Sequence, residues 1–197
     1  MKMTLAPKPA GQTTVPPQRR HWTRAEYHRL GELGLLDERR VELLNGEIYL
    51  MSPKNWPHIV ACRKAADRLE AAFASVGWLS RQEPLALGGM EPEPDVAIVP
   101  GKFESYTDTP TLALFILEVA DTSLDRDTTT KLELYAEAAI PEYWVLDLNA
   151  RKLLVFRDPG PDANGDSTYR SQTSLTSTET VTPLGLSSSV AVADLLP

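Results

Sequence analysis

Leu112-Ala113-Leu114-Phe115-Ile116-Leu117 is an unbroken apolar run that stops at Glu118, with Val119 directly after it. A short apolar run of this kind reads as a buried strand. A carboxylate at the tip of such a strand is costly to bury unless it is paired, hydrogen-bonded or bound to a metal. Upstream, Pro94-Asp95-Val96-Ala97-Ile98-Val99 puts a second acid at the start of another apolar strand. If the two strands are antiparallel neighbours, Asp95 and Glu118 meet at one rim of a sheet. Downstream, Lys131 opens a helical pattern.

Carboxylate oxygens are hard ligands suited to Mg²⁺ or Mn²⁺. Mg²⁺ commonly takes only one or two protein carboxylates, with water and a substrate phosphate completing its shell. Asp95, Glu118 and Lys131 therefore predict a metal site with a cationic helper. Lys131 would orient the attacking water or offset charge building on a phosphate. Its competing role is a surface ion pair with Asp127, four residues earlier, in the favourable acid-before-base order. Glu42 alternates with Val41 and Leu43, so it is either a solvated strand residue or a third acid at the site. His58 opens a long helix, either as a structural residue or as a contact to substrate phosphate.

The remaining pattern supplies a frame. Thr23 and Glu26 carry a capping-box signature for a helix from about Arg24 to Leu33, stopped by Gly34. Asn45-Gly46 between Val41–Leu44 and Glu47–Met51 predicts a tight hairpin. Ile59, Cys62, Ala66, Leu69, Phe73 and Val76 recur at helical spacing over 58–76. A strand is expected from Trp78 to Leu87. A second helix is expected to begin between Asp127 and Thr130, with Thr130 and Glu133 as its capping box, and to end before Pro141. Strands follow at 143–148 and 152–156, then a Pro/Gly/Asp loop at 159–166 and short strands around Tyr169, Val181 and Val190. The strand–helix–strand passage over 112–148 suggests a crossover unit. The fold class is α/β or α+β, a mixed central sheet flanked by helices with additional hairpins.

A chain of 197 residues favours one domain with a substantial core. Residues 1–21, rich in Pro, Thr and Gln, read as a flexible tail, and 22–197 as that single domain. The formal net charge of -7 argues against a generally sticky nucleic-acid binder, while leaving room for a local basic groove. Cys62 stands alone, so no intrachain disulfide is expected, and it reads as a core thiol in a reducing cytoplasm. No apolar run reaches the ~20 residues of a membrane span, and the N-terminus lacks the apolar stretch of a signal peptide. Phosphate-binding Gly-rich loops, G-x-S-x-G and C-x-x-C are all missing, which disfavours an NTPase, an elbow-type serine hydrolase and a zinc ribbon.

Taken in order, Pro94-Asp95, Leu117-Glu118-Val119, Asp127, Lys131 and Ile140-Pro141-Glu142-Tyr143-Trp144-Val145-Leu146-Asp147 resemble the Uma-two family, a restriction-endonuclease-like group of the PD-(D/E)XK nuclease superfamily. The hairpin 41–53 followed by His58 resembles the family's opening segment, and the resemblance covers about 22–197. It implies a restriction-endonuclease-like fold and metal-dependent hydrolysis of phosphodiesters, with DNA as the expected substrate; cutting two strands calls for two sites, which leaves room for a homodimer. It assigns Asp95 and Glu118 as metal-binding acids, the Val119 carbonyl as the third protein ligand and Glu42 as the N-terminal acid. The superfamily places a lysine two residues after the second acid, where this chain has Ala120; the resemblance gives that role to Lys131. Two alternatives stay open. One is a catalytically silent nuclease-fold module that binds DNA or protein. The other is a carboxylate-pair hydrolase such as a glycosidase, which would need neither Mg²⁺ nor Lys131.

Overall fold

The computed structural model describes residues 19–36 and 40–197. Residues 1–18 of the expected tail lie outside the described residues. Arg19 and Arg20 pair with Glu47 and Glu26, and the Trp22 N–H donates to the Gly46 carbonyl at 2.8 Å.

Helix α1 (Arg24–Glu32) carries the predicted reciprocal capping box of Thr23 and Glu26. It buries none of its residues fully. Instead Arg24 and His28 both reach Glu91 Oε2, at 2.7 and 2.9 Å. Strands β1 (Val41–Leu44) and β2 (Glu47–Leu50) form the expected antiparallel hairpin. Asn45 and Gly46 have φ of 50° and 72°, the two left-handed positions that a tight hairpin turn demands.

Helix α2 (Trp56–Phe73) starts two residues before the predicted His58. Asn55 caps it by accepting the His58 N–H, and Pro57 sits in the first turn, where a missing N–H costs nothing. The expected strand 78–87 is shorter: β3 (Gly77–Ser80) ends before Gln82, whose φ is 56°. The chain then loops to β4 (Val96–Pro100) and β5 (Phe115–Ala120).

β5 is displaced from the apolar run that predicts it. Leu112 is half-exposed, and the strand continues through Glu118 to Ala120. The reason is pairing. β5 runs parallel to β6 (Glu142–Asp147) as far as Ala120↔Asp147, whereas its antiparallel pairing with β4 stops at Val96↔Leu117. Glu118 is thus interior to one ladder and at the rim of the other.

The single helix predicted near 127–140 is two: α3 (Leu124–Thr128) and α4 (Thr130–Glu137). Thr129 breaks them, at φ -125° and ψ -86°, and no Thr130–Glu133 capping box forms. Thr128 and Thr129 turn their hydroxyls back to the carbonyls of Leu124 and Asp125, each at 2.7 Å, a local bond that competes with continued helix.

β7 (Lys152–Pro161) and β8 (Ser167–Thr176) make a long hairpin. The first three residues of the expected loop at 159–166 therefore belong to β7. Pro159 and Pro161 are tolerated because β7 has left β6 by Arg157 and pairs there only with β8. Short β9 (Thr180–Val181) and β10 (Val190–Ala191) pair with each other.

The main sheet has the order β3-β4-β5-β6-β7-β8, mixed because only β5 and β6 are parallel. Two apolar cores cover its faces. On one, α2 packs Ala65, Leu69 and Phe73 on Ile98, Phe115, Leu117 and Trp144. On the other, α4 packs Leu134 and Tyr135 on Ile116, Ala120, Tyr143 and Val145. Alternation places Glu118 between Ile116 and Ala120, on the α4 face. Among the described residues, no helix is long and apolar enough to cross a membrane.

Candidate active site

Carried one step past Val96↔Leu117, the β4–β5 register sets Asp95 across from Glu118. The two residues brace each other through the backbone. The Asp95 N–H donates to Glu118 Oε2 at 3.3 Å, and the Val119 N–H donates to Asp95 Oδ2 at 2.9 Å. Asp95 Oδ1 accepts from Gln82 Nε2 at 2.9 Å, and its Oδ2 lies 3.2 Å from His58 Nε2.

The restart at Thr130 aims the next helix at this rim. Lys131 Nζ lies 2.8 Å from Glu118 Oε1 and 2.9 Å from Glu42 Oε1. Tyr135, one turn later, donates to the same Glu118 oxygen at 2.7 Å. Lys131 is 2 % exposed, so the surface pair with Asp127 is not what forms. Asp127 is buried and accepts from Ser123 instead. Glu42 is fully buried, behind Lys131, rather than solvated. Its Oε1 also takes the Glu93 N–H at 3.2 Å, while its Oε2 is buried with no partner among the described residues.

Four carboxylates, Glu42, Asp95, Glu118 and Asp127, surround this one lysine in a cluster shielded from water. The electrostatics follow from that surplus. Burial pushes Glu118 up to about 8; Lys131 opposes the rise, and the charges of Asp95, Asp127 and Glu42 add to it. Asp127 is likewise raised by burial. Burial would also raise Asp95, but the His58 hydrogen bond and charge, the Val119 N–H and Lys131 together hold it at about 2. Burial disfavours the Lys131 ammonium, yet Glu118, Glu42 and Asp127 outweigh it and raise the group. The cluster is short of positive charge, and its donors are hard oxygens. That composition fits a divalent cation of the Mg²⁺ or Mn²⁺ type.

Asp95, Glu118, Val119 and Lys131 line a common cleft, joined by Lys54 and Asn55 from the approach to α2, by His58 from its first turn and by Asp121 and Arg126 after β5. Glu42 is not in its wall. Arg126 Nε is buried there without a hydrogen-bond partner among the described residues, and burial lowers the Lys54 ammonium. The pairing of His58 with Asp95, and the presence of Tyr135, Gln82, Lys54 and Arg126 at the site, are not foreseen from the sequence. The spacing of four between Lys131 and Tyr135 was the available signal for Tyr135.

A mixed α/β sheet with two acids facing each other at its rim, and a buried lysine entering from the crossover helix, defines a restriction-endonuclease-like protein class. Residues 24–193 match the Uma2 family, described as "putative restriction endonuclease", and the chain belongs to that family. A solved structure described as a putative nuclease of DUF820 from Anabaena variabilis is similar to it, with a TM-score of 0.64 at 13% identity over 84% of this chain and 96% of the other. At that identity the likeness is one of fold. No curated protein matches the chain.

Proposed function

We propose that residues 22–197 form a divalent-metal-dependent endonuclease domain that hydrolyses DNA phosphodiester bonds. The observation that carries this reading is the convergence of Asp95, Glu118 and Lys131 on one cleft within an acid-rich, lysine-poor cluster. Asp95, Glu118 and the Val119 carbonyl would hold Mg²⁺ or Mn²⁺. A cation there supplies Lewis-acid polarisation of the phosphate and acidification of a water.

The chain's own residues do the rest. Val119 N–H, Gln82 and His58 fix the Asp95 carboxylate, so its orientation needs no reorganisation when substrate arrives. Lys131 and Tyr135 hold Glu118 Oε1, which leaves Oε2 without a charged partner among the described residues. Lys131 favours the ionised form of Glu118 against burial and offsets charge developing on the phosphate. Glu42 acts as a positioning residue, holding the ammonium from behind. Lys54 and Arg126 sit where they can meet phosphate oxygens. A homodimer would bring two such sites to the two strands of a duplex, and the cytoplasm would be the compartment.

Supercoiled plasmid incubated with Mg²⁺ should be nicked by the wild-type chain, and left intact after chelation or by the Lys131→Ala variant. Equal nicking under every condition, or none under any, overturns the proposal. A second reading is a module that binds without cutting. Ala120 in the usual lysine position, and a Lys131 already engaged by two carboxylates, favour it. It would give a DNA shift that survives chelation and weakens steeply with salt.

A further inference from the structure

Behind the Asp95 side of the cleft lies a donor set of different chemistry. His58 and Cys62 are four residues apart on α2, so they share one helix face. Cys62 Sγ lies 3.4 Å from His58 Nδ1 and 3.9 Å from its Nε2, and that Nε2 is 3.2 Å from Asp95 Oδ2. One ligand atom from each of the three residues falls within 4.8 Å of the other two. Gln82 closes the group, with its Nε2 4.0 Å from the sulfur and 2.9 Å from Asp95 Oδ1.

Taken through Nε2, the nitrogen that reaches both partners, the 3.2 Å to Asp95 is that of a tetrahedral shell, and the 3.9 Å to Cys62 closes to one with a few tenths of an ångström of side-chain movement. With Zn–S near 2.3 Å and Zn–N and Zn–O near 2.0–2.1 Å, adjacent ligand atoms stand about 3.3–3.6 Å apart. The donor types differ from those of the hard-oxygen pair: an imidazole and a sulfur select Zn²⁺ over Mg²⁺. Three protein ligands with a fourth position for water is a common zinc arrangement. The cleft supplies that water path through His58 and Asp95.

We propose that His58, Cys62 and Asp95 form a site for a thiophilic divalent cation of the Zn²⁺ type, and that filling it withdraws Asp95 from its partnership with Glu118. On binding, the Cys62 S–H proton passes to solvent as the sulfur–metal bond forms. Asp95 is shared, so the two kinds of cation compete. The zinc site stands independently of the nuclease reading; only the inhibition that follows from competition rests on it.

Co²⁺ titrated into the full chain gives a binding readout that needs no DNA. A thiolate-to-Co²⁺ charge-transfer band should grow to saturation at one ion per chain and disappear when Zn²⁺ is added. Cys62→Ser should abolish the band, and His58→Gln should weaken Co²⁺ binding at least tenfold. Absence of the band in the wild-type chain, or its persistence in Cys62→Ser, overturns the site, and the wild-type spectrum decides even if a variant fails to fold. In the plasmid assay, Zn²⁺ should suppress Mg²⁺-supported nicking by the wild-type chain, and Cys62→Ser should need at least tenfold more. A band without any nicking would reject the nuclease reading while leaving the zinc site intact. Nicking that is equally Zn²⁺-sensitive in both chains would reject the competition.

Discussion

The Tyr135 hydroxyl donates to Glu118 Oε1 at 2.7 Å, the oxygen that Lys131 also holds. Two donors from successive turns of α4 therefore pin one side of a buried carboxylate. Removing the hydroxyl leaves the Lys131 contact but loses a hydrogen bond to a charged acceptor. Tyr135→Phe is expected to cost about 1–3 kcal/mol, read as a lower urea midpoint with an unchanged slope. It should also weaken Mn²⁺ binding, because one of the bonds that orient Glu118 is lost.

Lys131 neutralises two acids that have almost no access to water. Lys131→Met strands Glu42 and Glu118 as uncompensated charges, and breaking a buried pair from one side costs about 3–5 kcal/mol. In urea unfolding with chelator at pH 8, the loss should be large. Adding Glu42→Gln should recover part of it, since that removes one of the stranded charges. Additive losses in the double variant would sink this account of the pair.

The raised Glu118 sets a direction for pH. Its folded value of about 8 lies above the ordinary 4.5, so between those values the folded chain binds more protons than the unfolded one. Stability of the metal-free chain should therefore fall as pH rises from about 5 to 8. Asp95, held at about 2 against an ordinary 3.8, acts lower: its stabilising share is present above about 4 and lost as pH drops towards 2. A divalent cation needs Glu118 ionised, so the stabilisation by Mn²⁺ should grow over pH 5 to 8. Melting temperatures across that range, with chelator and with Mn²⁺, check both slopes. A chelated melting temperature that climbs from pH 5 to 8 would contradict the assignment.

Asp95→Asn keeps an acceptor for the Val119 N–H while removing the charge. The fold should survive, with far-ultraviolet dichroism unchanged. Mn²⁺ affinity measured by calorimetry should drop at least tenfold, about the scale expected even for outer partners of a metal site.

Gly46 is placed for two reasons at once. Its φ is 72°, and a Cβ there would come 2.3 Å from the His21 Cβ. Gly46→Ala should destabilise by about 1–3 kcal/mol, read as a fall in melting temperature. A neutral result would mean that residues 21–22 move away from the hairpin at little cost.

Local features were readable in the chain wherever a short-range rule governs them. Thr23 and Glu26 announce a helix start, Asn45-Gly46 a hairpin, and the three-and-four spacing after His58 a long helix, because capping, turn conformation and amphipathic packing act over a few residues. The acids Asp95 and Glu118 were visible as chemistry out of place in apolar surroundings, and Lys131 as a cation opening the next helical pattern. Less legible were element ends. β5 slid past Glu118 because its ladder with β6 outruns the one with β4, and the helix before Pro141 split where Thr128 and Thr129 bond back to their own backbone.

Residue order alone thus established a mixed α/β chain whose polar exceptions are two acids and a lysine. Only the tertiary structure decided that Glu42 lies behind Lys131, that Tyr135 pins Glu118, and that His58 and Cys62 close on Asp95 from the opposite face of the sheet. Those contacts join segments up to 89 positions apart. They depend on strand register and on the docking of α2 and α4, which are set by burial of whole faces and leave no mark in any local stretch of sequence.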